Sequence, residues 1–452
     1  MAILPESPKP PPKTTTTTNP IHFWFHFIVL ASLVTLIFIT LTYFYPQDPK
    51  TWFINLPTPL RQHYSRGSIL KVQLAPNQPQ VGVFFIQQGP RESQEKTLFI
   101  HGLGCSSFAF WEVVKFLGGK SVHAVAIDLP GSGFSDKVVS VVEDVGESYG
   151  VLGRVWEIYE EIKEKGMFSG FDELIENGYV DQERKVRVSR RERVRSIELG
   201  SEEMGRVLGQ VIDGMRLGPV DLVLHDSAMM LSANWISKNL EFVRSVVILD
   251  GGNDRPALPL WALEMLGVRE IVLGSRFAFE RVISAYCVKS GGGVDVETHR
   301  ILLKGREGRN AIVGMAKKLN SSFDIAEWAA LDGVKSFPMQ VIWSTGCSQE
   351  WSDQGRQIAK ALPQAVFDTH TGGRWPQEHN AIEIAEKVHQ FISSLPKSNK
   401  QAEEEAIPEH RHTLLDEARN NGHDHPHHHH DHHGHAHPGY MDSYGFGQGR
   451  EA

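Results

Sequence analysis

The chain has few cysteines, and no two of them stand in a CxxC pair. Cys105, Cys287 and Cys347 are too few for the disulfide framework of a small secreted domain. Without a CxxC pair, a zinc site built on thiolates is not expected either. The chain also has no excess of positive charge: it contains 46 Lys and Arg and 54 Asp and Glu, which gives a net charge of −8. We therefore expect no nucleic-acid partner, because phosphate binding needs a basic surface.

Acidic and basic residues are absent from residues 23–45. An α-helix of about 20 apolar residues crosses the ~30 Å hydrocarbon core of a bilayer, and a signal-peptide apolar region is shorter than this run. The sequence therefore predicts a retained single-pass transmembrane helix at 23–45. A disordered tail (1–22) precedes it and a juxtamembrane linker (46–66) follows it. Basic residues on its two sides nearly balance, so the membrane orientation stays open.

The C-terminal segment 397–452 is of low complexity and is predicted to be disordered. Ten of the fifteen residues from His423 to His437 are histidine. Such a run offers imidazole ligands to Zn, Ni or Cu, with His427, His428, His429 and His430 as the candidates. A solvated tail without a selected metal is the preferred interpretation, since flexible clusters lack fixed geometry. No cofactor is expected.

Between the two ends, residues 67–396 alternate strand-like and helix-like segments. Several strand candidates are continuous apolar runs, which is typical of parallel strands covered on both faces. This alternation predicts an α/β protein with a doubly wound sheet. The eight candidate strands are Ile69–Leu74, Val81–Gln87, Thr97–His101, His123–Asp128, Val220–His225, Ser245–Asp250, Met339–Trp343 and Ala365–His370.

Three motifs narrow this class. One strand ends in HGLG (101–104), the next in DLPGSGFSD (128–136), and a later one runs through LHDSA (224–228) into a helix pattern. In this order and strand context they resemble the oxyanion loop, the strand-four loop and the nucleophile elbow of α/β-hydrolases. That resemblance implies an α/β-hydrolase fold with an eight-stranded, mostly parallel sheet and helical cap insertions.

Two segments are longer than a minimal fold of this kind needs: 137–196 and 251–336. The first contains seven basic residues and one Glu between Arg184 and Arg195, which favours either contact with anionic lipid or a solvated surface. The second lies where lid helices are expected. Its apolar side chains are predicted to pack over the cleft: Trp261, Leu263, Leu266, Phe277, Phe279 and Trp328.

The elbow pattern requires small residues on both sides of the nucleophile, because the turn is sharp. Asp226 is the better central residue, since Ala228 suits the tight position and Met229, which would flank a central Ser227, does not. Leu224, on the other side of Asp226, departs from the preference for a small residue but does not reverse the choice. An Asp here is similar to the haloalkane dehalogenases and epoxide hydrolases, which form an ester on that carboxylate. The backbone N–H groups of Leu103 and Ser227 are the expected oxyanion donors.

The general base of such an enzyme is a His after the last strand, but Arg374 occupies that place in TGGRWPQEH (371–379). A guanidinium cannot accept a proton near neutral pH. His370 lies four residues before Arg374 and His379 lies five after it. Neither is expected to replace the missing base, because a base must lie within hydrogen-bonding distance of the attacking water.

The acid is open. An Asp is usual near the position of Cys347, and Glu350 and Asp353 lie a little beyond it. The other candidate is Asp250, for which a structural role as a strand-end residue bonded to loop amides is the alternative interpretation.

We therefore predict a vestigial site in which Asp226 and Arg374 form an ion pair, with Asp250 at the acid position. A separation above ~6 Å between the two charged groups would count against the pairing.

Features along the whole chain also resemble a plant family, the auxin-response endoplasmic reticulum accessory proteins. They include the apolar run, HGLGCSSFAF, LVLHDSA, RILLKGREGR, RWPQE and the His-rich tail. The resemblance implies a single-pass protein of the endoplasmic reticulum membrane whose partner is an auxin influx carrier. Its role would be to assist delivery of that carrier to the plasma membrane, and so polar auxin transport and gravitropism. The alternative is a membrane-anchored hydrolase of an ester, epoxide or halide with Asp226 as nucleophile.

Overall fold

A computed structural model describes residues 20–44, 49–144, 190–252, 256–288, 294–319 and 323–396. The chain divides into two compact units, and the larger one begins at Pro57. The tail 397–452 and most of the basic segment 184–195 lie outside the described residues.

The first unit contains helix α1, Pro20–Phe44, and the short helix α2, Pro49–Ile54. The side chains of α1 that the structure describes, residues 23–36, are exposed. When only the described residues are counted, no helix qualifies as long and apolar enough to cross a membrane. The transmembrane helix at 23–45 therefore stays a prediction.

The body is built on an eight-stranded sheet of order β1-β2-β4-β3-β7-β8-β9-β10. Only β2 runs antiparallel to its neighbours on both sides, and the other pairs from β3 to β10 are parallel. This strand order and the single reversed strand are those of the α/β-hydrolase fold, as predicted. The strands are β1 Ser68–Val72, β2 Val81–Gln88, β3 Lys96–Ile100, β4 His123–Ile127, β7 Val220–His225, β8 Val243–Leu249, β9 Met339–Ser344 and β10 Ala365–His370.

Helices cover the sheet because each presents an apolar stripe to it. In the helix Ser201–Gly214 the buried residues recur at the i, i+3, i+4, i+7 spacing of one helical face, from Met204 to Ile212. Every residue of β7 and β9 is buried, as expected of strands covered on both faces, and most of these residues are apolar. The helices of the body are α3 Thr58–Arg66, α4 Trp111–Gly119, α5 Ser201–Gly214, α6 Ala228–Lys238, α13 Gln349–Ala361, α14 Pro376–His379 and α15 Ala381–Ser394.

The second insertion is helical, as predicted, and forms a cap between β8 and β9. Leu263, Phe279 and Trp328 are buried, but the prediction was wrong for Trp261 and Phe277, whose exposed fractions are 46% and 78%. These two side chains lie on the outer side of short helices. The cap helices are α7 Leu260–Glu264, α8 Leu266–Gly274, α9 Arg276–Ala285, α10 Val294–Lys304, α11 Arg306–Lys318 and α12 Ile325–Ala329.

The described ends of the first insertion form a separate antiparallel pair, β5 Val138–Asp144 with β6 Arg190–Ser196. The basic residues from Arg190 to Arg195 therefore lie on a strand.

Two features differ from the expectation. The segment 46–66 is not only a linker, because α3 packs on the body through the buried side chains of Leu60 and His63. Two of the three cysteines, Cys287 and Cys347, form a disulfide across 60 residues of sequence. Three cysteines exclude a framework of several bridges, but they do not exclude a single one.

Candidate functional site

Asp226 lies at the turn between β7 and α6, at the carboxyl edge of the sheet. Its φ is +53°, a left-handed value that an L-residue adopts only when the surrounding structure holds it there, whereas Ser227 has an ordinary φ of −71°. The flanking backbone is close: a Cβ on Gly102 would lie 2.6 Å from the Asp226 Cβ, and one on Gly251 would lie 2.5 Å from the Asp226 carbonyl oxygen. Asp226 is therefore the elbow residue, as predicted from Ala228.

The Asp226 carboxylate and the Arg374 guanidinium form the expected ion pair. Arg374 Nη2 donates to Asp226 Oδ1 at 2.9 Å, with side-chain exposures of 4% and 1%. The backbone N–H of Ala257, at the start of the cap, donates to both carboxylate oxygens at 3.1 Å. The elbow carboxylate is therefore neutralised, hydrogen-bonded and covered.

Arg374 is also held from the other side. Its guanidinium carbon lies 3.9 Å from the centroid of the Trp351 ring, within cation–π range. Burial lowers the pKa of Arg374, and the carboxylates of Asp226 and Asp250 oppose that shift. Because the ordinary pKa of a guanidinium exceeds ~12, the group remains a cation and cannot serve as a base.

One of the two expected oxyanion donors is already in a hydrogen bond. The Leu103 N–H donates to the Ser227 Oγ at 2.8 Å. An oxyanion would have to displace that hydroxyl, so the hydrogen bond that should stabilise developing charge is already made. Leu103 and Ser227 are both buried, and the structure brings them together as the motif order predicted.

Asp250 lies at the acid position, at the end of β8, with a φ of +45°. It binds a histidine and also a loop amide: Oδ2 lies 2.7 Å from His370 Nε2, and Oδ1 accepts from the Ser344 N–H at 2.8 Å. The Trp351 Nε1–H donates to Oδ1 at 3.2 Å. Both interpretations of Asp250 considered from the sequence are thus present in the structure.

His370 is not available as a base. Its Nδ1 accepts from the Gly372 N–H at 3.1 Å, so in the neutral ring the proton is on Nε2, facing Asp250. His379 is the last residue of α14 and is half-buried. The other two acidic residues considered after β9 lie outside the site: Glu350 is exposed, and Asp353 pairs with Arg356.

Two further histidines line the loops around the elbow and are neutral. His225 donates from Nε2 to the Arg374 carbonyl at 2.9 Å and accepts at Nδ1 from the Gly102 N–H at 3.3 Å. Burial lowers its pKa. His101 bonds the Gly102 carbonyl at 2.8 Å and accepts from the Leu129 N–H at 3.0 Å. Both ring nitrogens of each histidine are therefore occupied by backbone groups.

A second set of hydrogen-bonded side chains, here called the Ser106–His299–Glu378 line, lies between the oxyanion loop and the cap. Ser106 Oγ lies 3.4 Å from His299 Nδ1, and His299 Nε2 makes a short hydrogen bond to Glu378 Oε1. His299 belongs to α10 and Glu378 to α14, and both side chains are at most 2% exposed. Trp375 packs edge-on against the imidazole. The line joins the cap to the body beside the elbow.

Sequence reasoning missed several of these residues. Ala257 acts through its backbone, and Ser106, His299 and Glu378 are far apart in the chain, so no local signal marks them. The pairing of His370 with Asp250 did have a signal. Both residues end strands that flank β9, and the carboxyl ends of parallel strands meet at one edge of the sheet.

Comparison with known proteins concerns the fold. No protein-family model matches the chain. Carboxylesterase CesB from Bacillus subtilis is similar over 76% of this chain and 98% of its own, at 10% identity and a TM-score of 0.49. A loop variant of a haloalkane dehalogenase from Bradyrhizobium elkanii is similar over 72% of this chain and 96% of its own, at 15% identity and a TM-score of 0.47. A bromoperoxidase from Bacillus anthracis is similar over 72% of this chain and 100% of its own, at 14% identity and a TM-score of 0.46. At such identities the fold assignment rests on the strand order and the elbow.

Replacing Arg374 by Ala should destabilise the protein by about 3–5 kcal/mol, because it leaves the buried Asp226 carboxylate without its counter-charge. The matched control is Arg356→Ala, whose exposed pair with Asp353 should be worth at most about 1 kcal/mol. Urea unfolding of the full chain in detergent micelles measures both. Equal effects of the two substitutions would contradict a stabilising ion pair.

Stability should also fall on acidification. Burial lowers the pKa of His63 and of His101 to about 4, against ~6.5 in the unfolded chain. Between these values the unfolded chain binds more protons, so the free energy of unfolding decreases from pH 6.5 toward pH 4 and is unaffected by these groups above that range. The loss at pH 5 should be about 1–2 kcal/mol per histidine.

Urea unfolding at pH 7.5 and pH 5 tests this, with His63→Gln as the comparison. The variant should lose less stability than the parent chain on acidification, because one titrating group is gone. A pH dependence identical in the two proteins would show that His63 is not buried in its neutral form.

Proposed function

We propose that the protein is a membrane-anchored, non-catalytic accessory protein of the endoplasmic reticulum that assists delivery of an auxin influx carrier to the plasma membrane. One observation carries the non-catalytic part. The elbow carboxylate, where the chemistry of the fold would take place, is bound at 2.9 Å by a guanidinium that replaces the base. The accessory role itself follows from the family resemblance stated above.

The chemical obstacle lies in the second half of the reaction. An ester formed on Asp226 is released only if a base activates water against it. Arg374 cannot accept that proton, and His225 and His370 have both ring nitrogens in hydrogen bonds. The first half is also opposed, since the Asp226 lone pairs already accept from Arg374 and from the Ala257 N–H.

Anchoring and compartment have separate support. Residues 23–45 carry no acidic or basic side chain, and a 25-residue helix runs from Pro20 to Phe44. Such a helix would bring the body to a membrane. The Cys287–Cys347 disulfide favours an oxidising compartment, because cytosolic thiols are kept reduced. We infer a lumenal body and a cytosolic N-terminal tail, an orientation that the basic residues alone left open.

The cap offers a surface for the carrier. Trp261, Met265, Ile271 and Phe277 are large apolar residues with exposed fractions of 46%, 57%, 65% and 78%. They lie on or next to the consecutive helices α7, α8 and α9. Exposed apolar clusters of this kind mark binding surfaces for protein or lipid. A multispanning carrier that is not fully assembled would present matching apolar surface.

A hydrolase is the second candidate. The fold supports it, and the alternative with Asp226 as nucleophile meets the obstacles above. The Ser106–His299–Glu378 line is a more specific observation, since it orders a hydroxyl, an imidazole and a carboxylate as acyl-transfer enzymes do. A fluorophosphonate probe that labels the parent chain but not Ser106→Ala would favour this candidate.

The accessory role predicts that carrier delivery does not need the elbow carboxylate. The paired variant Asp226→Asn/Arg374→Gln removes the nucleophile but leaves a neutral hydrogen-bonding pair. Co-expressed with an auxin influx carrier in yeast, it should raise the surface-biotinylated fraction of the carrier as much as the parent chain does.

The control is a variant with Trp261, Ile271 and Phe277 changed to Ser, which should lose carrier delivery while its unfolding midpoint stays the same. If the paired variant loses delivery although it folds, and an ester is detected on Asp226 in the parent chain, the hydrolase candidate replaces the accessory role.

A further inference from the structure

The segment that covers the ion pair is the cap arm, defined here as residues 256–288. Each end of the arm is hydrogen-bonded to one member of the ion pair. Near its start, the Ala257 N–H donates to Asp226. At its end, the Cys287 carbonyl accepts from the Arg374 N–H at 2.9 Å. Cys287 is also joined to Cys347, in the turn after β9. One covalent bond therefore fixes the arm over the buried charges.

Cys287 stands where the helix end favours glycine. Helix α9 ends in a Schellman motif, because the Cys287 N–H donates to the Ser284 carbonyl and the Val288 N–H to the Ile283 carbonyl. The residue at this position adopts a left-handed conformation, and Cys287 has a φ of +64°. A side chain at that position is unfavourable unless it makes an interaction that glycine cannot make. Here that interaction is the disulfide.

The disulfide is within reach of another thiol. Cys287 and Cys347 are both half-buried rather than enclosed, and Cys347 lies in an exposed turn. Its sulfur is 3.3 Å from the Ser344 Oγ, and Ser344 donates its N–H to Asp250. Both acid–base pairs of the site are therefore linked to the disulfide. Cys287 is hydrogen-bonded to Arg374, the partner of Asp226, and Cys347 contacts Ser344, which is hydrogen-bonded to Asp250, the partner of His370. Accessible disulfides are the ones that exchange.

We propose that the Cys287–Cys347 disulfide is an exchangeable clasp, and that its partner is a dithiol oxidoreductase of the CxxC class. A partner thiolate attacks one sulfur, a mixed disulfide forms, and the other cysteine leaves as a thiolate. The second partner thiol then releases the chain, so the partner is oxidised by two electrons and two thiols replace the clasp. After reduction, the hydrogen bond to the Cys287 carbonyl and side-chain packing still hold the end of the arm, but the covalent bond is gone. The arm therefore lifts from the elbow.

The third cysteine reports this opening. Cys105 is buried in the oxyanion loop, and Leu258 of the arm packs directly over the neighbouring Gly104. Gln377, three residues after Arg374, donates to the Cys105 sulfur. When the arm lifts, Cys105 loses its cover and becomes reactive toward an alkylating agent.

The experiment uses the full chain in detergent micelles and iodoacetamide, with each cysteine followed by mass spectrometry. Before reduction only Cys105 should be a free thiol, and its alkylation should be slow. After treatment with reduced thioredoxin, Cys105 should react at least tenfold faster. Cys287→Ser/Cys347→Ser should reproduce the fast rate without thioredoxin, and thioredoxin should not increase it further.

Hydrogen exchange of β7 distinguishes opening of the arm from loss of the fold. Protection of β7 should be unchanged on reduction while protection of the arm falls. The proposal is overturned if Cys287 and Cys347 are isolated as free thiols, if Cys105 stays protected after reduction, or if β7 and the arm lose protection together. None of these outcomes depends on carrier delivery, so the clasp and the accessory role fail or stand separately.

Discussion

A carboxylate and a guanidinium, both almost fully buried, face each other at 2.9 Å at the turn after β7. Burying two charges costs several kcal/mol each, so such a pair persists only where the geometry is good and the remaining hydrogen-bonding capacity is used. Here the Asp226 oxygens also accept from Ala257, and Arg374 lies on the Trp351 ring. The loop after β10, the cap and the elbow all meet at this interaction.

The same pair is the basis for the proposal that this site is not catalytic. The elbow is intact, with its left-handed Asp226 and the close glycines around it. The acid position is occupied by Asp250, which is satisfied by His370 and Ser344. Arg374 lies where the proposed non-catalytic role requires that no proton acceptor face the carboxylate. A fold of this class does not by itself imply catalysis, because function depends on the residues of the site.

The sequence predicted what depends on local pattern. All eight strands of the main sheet lie within two residues of their expected ends, because several are apolar runs and turn residues bound them. Asp226 was identified from the small residue Ala228, and Arg374 from its place after the last strand. The ion pair followed from those two positions, since both lie at the carboxyl edge of the same sheet.

What the sequence did not predict depends on contacts between distant segments. Cys287 and Cys347 are 60 residues apart, and nothing near either one indicates the other. Ala257 contributes a backbone N–H, which any residue would supply. The exposure of Trp261 and Phe277 was missed because aromatic residues in a cap were expected to be buried, and only the helix packing decides that.

The measurement that bears most directly on the central claim is incorporation of oxygen-18 into Asp226. The full chain is incubated in ¹⁸O-water with a nitrophenyl ester, an epoxide and a haloalkane, and the peptide that contains Asp226 is analysed by mass spectrometry. Hydrolysis of an ester on that carboxylate would leave one ¹⁸O atom in it. The account predicts no label on Asp226 under any of these conditions, and label above the level of a substrate-free control would contradict it.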